Sequence, residues 1–94
     1  MLFDLLFMLR VRGTSMIELG IMDGDFVVAR RQDSANNGDI VIAGIPGEEA
    51  TVKTYLAKKG SIILRPANPA LEDMVFAPNE VTVYGKVVTV MRRL

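Results

Sequence analysis

The chain contains no histidine, no cysteine and no tryptophan. Without cysteine there is no disulfide framework, and without cysteine or histidine a zinc or iron site would have to be assembled from carboxylates alone; no metal and no cofactor are expected. The lack of histidine also removes the imidazole that most serine hydrolases use as a base. Charge of one sign is missing too, since 11 basic and 11 acidic residues cancel, and with it the electrostatic footprint of an autonomous nucleic-acid binder. No apolar run approaches the roughly 20 residues of a spanning helix. The most apolar stretch, MLFDLLFMLRV, is interrupted by Asp4 and Arg10 and has no basic leader. A cytoplasmic protein without a membrane role is expected.

What is present is apolar. Half of the 94 residues are hydrophobic and the mean hydropathy is +0.29, high for a domain with room for one core, which points to surface covered by self-association. No repeat or linker divides the chain, so 1–94 reads as one domain. Short runs of period two separated by Gly, Asn, Asp and Pro dominate it. Strands are expected over Leu5 to Arg12, in DFVVARR, in NNGDIVIAGI after a tight hairpin entry at Asn37 and Gly38, in EATVKTYLAKK, in SIILRP, and in VTVYGKVVTVMRR. RPANPA breaks a strand because proline lacks the ladder donor. The final run, apolar on both faces around Val87, Val88, Val90 and Met91, is expected to be buried twice or to form a subunit interface. SMIELGI alone suggests a helical turn. The fold class is mainly β: compact twisted antiparallel sheets or a partly closed barrel, with at most one short helical turn after Ser15.

VRGTSMIELGIMDGDFVV, residues 11 to 28, sets Ser15 behind a turn led by Gly13. Ser15 and Glu18 have capping-box spacing, so an N-cap is one reading of the serine. The other is nucleophilic: Gly13 permits a tight bend, and the amides of Thr14 and Ser15 would face a developing oxyanion. A serine hydroxyl needs a base. Asp23, Asp25 and Asp39 sit in turn positions that Asx turns explain. A lysine made neutral by burial remains, from among Lys53, Lys58, Lys59 and Lys86. Lys58 and Lys59 flank an expected hairpin tip. Lys53, mid-strand between Val52 and Leu56 with Thr51 and Tyr55 two residues away on either side, is best placed for desolvation, with Lys86 second. A solvated lysine on an outer strand face is the alternative.

Taken together, FMLRVRGTSMIELGIMDGDFVVARR, NGDIVIAGIPGEEATVKTY and YGKVVTVMRR resemble the C-terminal self-cleaving and dimerisation domain of the LexA/UmuD/phage CI repressor family, from about Asp4 to Leu94. The resemblance implies Ser15 as nucleophile and Lys53 as its uncharged base, with Gly13 and Thr51 in support and the Thr14 and Ser15 amides binding the oxyanion. It implies a homodimer and a RecA filament on single-stranded DNA as activator. It also implies cutting of the repressor's own chain at an Ala-Gly bond, which relieves repression of damage-response genes in the SOS response. Tethering of the substrate loop supplies part of the rate.

Some features depart from that pattern. The scissile bond is expected a few tens of residues before the serine, farther than the chain reaches, and the DNA-binding domain, through which alone DNA would be held, is expected to be missing. The chain therefore reads as a cleavage product or a truncation. Ala43-Gly44 lies in an apolar strand rather than a loop and is not expected to be the substrate bond. Thr14 stands where relatives often carry Asp or Met. Residues 1–3 have no counterpart and are expected to be a cloning addition. A UmuD-like docking module for a polymerase, with the dyad a relic, is the alternative function.

Overall fold

The computed structural model describes residues 5–94; residues 1–4, including the expected cloning addition, lie outside the described part. Seven strands form one antiparallel sheet: β1 (Leu6–Arg10), β2 (Phe26–Arg31), β3 (Ile40–Ile45), β4 (Glu48–Lys58), β5 (Ser61–Arg65), β6 (Met74–Phe76) and β7 (Thr82–Met91). Their spatial order is β1-β2-β7-β3-β4-β5-β6. The mainly β class read from the sequence holds. Single 3-10 turns follow the serine, at Ile17–Leu19, and precede β7, at Pro78–Glu80, the second of which the sequence reading lacked.

The order inserts the last strand between the second and third. The residues of β7 from Gly85 to Met91 pair with β2, and those from Thr82 to Lys86 pair with β3. The turn at Asn37 and Gly38 therefore opens β3 without making a β2–β3 hairpin, because β7 occupies the edge that such a hairpin would need. The tip at Lys58 to Ser61 does join β4 and β5 directly.

β3 is the strand buried on both sides. IVIAGI is a continuous apolar run, and alternate side chains enter different clusters. Ile42 packs with Val11, Met16, Ile21, Val27, Ala29 and Val52, whereas Val41 and Ala43 pack with Ile45, Ile62 and Leu64. β7 shows a different pattern. Val87 packs against the first cluster, but Val88, Val90 and Met91 are exposed in this chain. The double burial considered for this strand is thus absent beyond Val87. Gly85 is where the sheet demands no side chain, since a Cβ there would strike the Arg30 carbonyl and the Phe7 ring.

Candidate active site

The serine turn is assembled by backbone bonds to two distant loops. Val11 donates its amide to the Asp25 carbonyl at 2.7 Å and accepts from the Gly24 amide at 2.8 Å. Gly13, at φ +85° in the region that favours glycine, donates its amide to Asp23 Oδ1 at 2.7 Å. Beyond the bend, the Ser15 carbonyl accepts from Ala67 N at 2.7 Å, Glu18 N donates to the Ala67 carbonyl at 2.8 Å, and Asn68 Nδ2 donates to the Thr14 carbonyl at 2.9 Å. The turn is held from both ends.

Segment 22–25 is anchored in its turn by Arg92, the residue that follows β7. The Asp25 carboxylate, only 3% exposed, accepts Arg92 Nε at 2.8 Å on Oδ1 and Arg92 Nη2 at 2.7 Å on Oδ2, a two-pronged geometry that suits guanidinium and carboxylate. Met22 N donates to the same carboxylate, and Arg92 Nη2 also donates to the Gly20 carbonyl. The Arg92 hydrogen bonds, with the Met22 amide, hold Asp25 below the usual carboxylate range against the opposing effect of burial.

Lys53 reaches this turn from β4. Thr54 to Lys58 pair with β5, whereas the first half of β4 pairs with β3 alone, so Lys53 is the last residue before the free edge of the strand closes. Its amine donates to Ser15 Oγ at 3.0 Å and to Thr51 Oγ1 at 2.7 Å. Lys53 is 8% exposed. Burial pushes its pKa down from the ordinary lysine range, and the negative charge of Glu48 acts in the opposite sense.

The competing reading of Ser15 as a helix cap does not hold. Met16 occupies the N-cap position of the 3-10 turn, and no side chain caps it. The other lysines stand apart from the serine: Lys86 lies opposite Val41 and 3.5 Å from Asp39, while Lys58 and Lys59 are exposed at the β4–β5 tip. Ala43 and Gly44 are buried within β3. Asp25 is more than the turn residue its sequence context suggested, and Asp39 both accepts from Asn36 N and faces Lys86. Asp23, Ala67, Asn68 and Arg92 were missed as supports of the serine turn. Each acts through a fold-dependent contact, and only the paired turn acids of MDGD gave a local signal.

A cleft of about 760 Å³ opens beside the pair, between residues 9–14 and residues 48–53, with Leu71 at its margin. Among the described residues, neither the Thr14 nor the Ser15 amide is used in a hydrogen bond. No group of three or more acidic residues is placed to hold a metal ion there or elsewhere in the described part, and none of its helices is long and apolar enough to cross a membrane.

Residues 3–88 match the sequence model of the family described as Peptidase S24-like. The chain is also 52% identical over 88 residues to a LexA repressor of Ruminiclostridium cellulolyticum, a match covering 94% of this chain and 40% of that protein. The chain thus spans well under half the length of that curated relative.

Proposed function

The chain belongs to the Peptidase S24-like family, and on that premise we propose that it is the catalytic and dimerisation domain of a LexA-like repressor, a serine endopeptidase with a Ser15/Lys53 dyad. The observation that carries the reading is the 3.0 Å approach of a buried lysine amine to a serine hydroxyl. In the neutral form, one N–H of Lys53 stays on Thr51 and the nitrogen lone pair takes the Ser15 proton. Ser15 Oγ then bonds to the scissile carbonyl carbon, and the Thr14 and Ser15 amides receive the oxyanion. The proton returns from Lys53 to the departing amine, leaving an acyl-serine that water, deprotonated by the same lysine, hydrolyses.

The natural substrate under this reading is the repressor's own Ala-Gly loop, presented intramolecularly and stimulated by a RecA filament on single-stranded DNA. Operator DNA is then held by a part of the repressor outside this chain, in keeping with its zero net charge. The fold works as a homodimer.

The test supplies a peptide spanning an Ala-Gly bond in trans at alkaline pH. Cleavage by the wild type, with a loss of at least about a thousandfold in Ser15→Ala and Lys53→Ala, supports the dyad. No cleavage by any variant leaves a docking module without protease chemistry.

A further inference from the structure

The cleft carries four charged side chains that form no ion pair among the described residues. The wall formed by residues 9–14 bears Arg10 and Arg12, and the wall formed by residues 48–53 bears Glu48 and Glu49. All four are exposed. Elsewhere three exposed cations do have carboxylate partners, Arg65 with Asp73, Lys86 with Asp39 and Arg92 with the buried Asp25. Among the described residues, none of the four cleft charges takes part in such a pair. The acidic wall also offers a strand edge, because Glu48 to Lys53 pair with β3 on one side and, among the described residues, with no strand on the other. A strand edge of this kind takes an extended chain.

Resting on the peptidase reading above, we propose that this cleft selects an extended peptide by charge order: an anionic residue against Arg10 and Arg12, a cationic residue against Glu48 and Glu49, and the scissile carbonyl between them at Ser15. Each contact alone is a weak surface ion pair. Two in one cleft, read from opposite walls, discriminate one chain direction from its reverse, because the reversed peptide meets like charge on both sides. The acidic wall has a second use. Glu48 is the carboxylate whose field favours the proton on Lys53; among the described residues the amine's hydrogen-bond partners are the hydroxyls of Ser15 and Thr51, and Arg10 and Arg12 lie across the cleft. A cationic substrate residue seated on Glu48 weakens that field in the cleft Glu48 shares with Lys53, acting in the same sense as the burial that already disfavours the protonated amine.

The test uses Ser15→Ala protein and three fluorescent peptides centred on Ala-Gly: neutral, Glu before and Lys after the bond, and the same charges reversed. Anisotropy should show one charge order binding about tenfold tighter than the other two peptides, with the advantage fading in high salt. Arg12→Gln and Glu49→Gln, both at exposed positions, should each erode the preference. Reversing the charges of both walls should transfer it to the opposite peptide. Equal binding of the two orders, or a preference indifferent to these substitutions, overturns the proposal. Because binding is read without the nucleophile, this failure is distinct from that of the peptidase reading, which fails if wild-type protein cuts none of the three.

Discussion

A lysine amine that is 8% exposed and bonded only to hydroxyl oxygens has its charged form disfavoured, and two measurements follow. Activity toward an Ala-Gly peptide should climb with pH, about tenfold per unit while Lys53 is mostly protonated, and Lys53→Arg should be inactive because arginine keeps its proton. Glu48→Gln should move that rise to lower pH, since Glu48 is the group that favours the protonated amine; an unmoved midpoint would remove Glu48 from the electrostatics of the site. Stability gives an independent check. The folded pKa of Lys53 is depressed, so the unfolded chain binds more protons between the folded value and about 10.4, and stability rises with pH across that window. Lys53→Met should therefore raise Tm at neutral pH, with the gain shrinking as pH climbs through the window. At this scale the sequence was informative in part. The absence of histidine and the neighbours of Lys53 narrowed the candidate base to a lysine, yet only the family resemblance separated it from a solvated strand residue, since desolvation of Lys53 comes from a turn remote in sequence.

Among elements, the serine turn depends on one backbone conformation and β3 on unbroken burial. Gly13→Ala places a side chain at φ +85° and should destabilise by about 1–2 kcal/mol while loosening the Gly13–Asp23 bond, which denaturant midpoints and peptide cleavage would report together. Ile42→Ala, at a residue 1% exposed in the strand that feeds both clusters, should destabilise by about 2–5 kcal/mol; a smaller shift in urea unfolding would mean that the cavity collapses. Strand positions other than that of β6 were readable because apolar alternation and turn residues are local signals; β6, Met74–Phe76, is too short to show any alternation. Strand order was not, because nothing local in NNGD tells β3 to pair with β7 instead of β2, and that choice is made by how the long final strand fills the gap. The same limit hid Asn68, whose bond to the Thr14 carbonyl exists only once the sheet brings the two loops together.

For the whole molecule, part of the apolar surface that the sequence foretold lies on the β1-β2-β7 side of the sheet, with Val75 exposed at the other edge. Met8 lies across from Val28, and Met91 across from Phe26; Met8, Val88, Val90 and Met91 are all exposed. Val88→Glu or Val90→Glu should convert a dimer to monomers in sedimentation, and an unchanged profile would place the interface elsewhere. Acid stability belongs to this scale as well. Asp25 and Asp73 both lie below the usual carboxylate value, each through its arginine. Their stabilisation is complete above about pH 4 and is lost as pH falls through their depressed values, and Arg92→Gln should remove the Asp25 share of that acid limb. The grip of Arg92 on Asp25 and Gly20 comes directly after β7, at the residue that follows Met91. A backbone cut between Met91 and Arg92 should therefore untie segment 22–25 and slacken the turn that carries Ser15 without touching that turn itself.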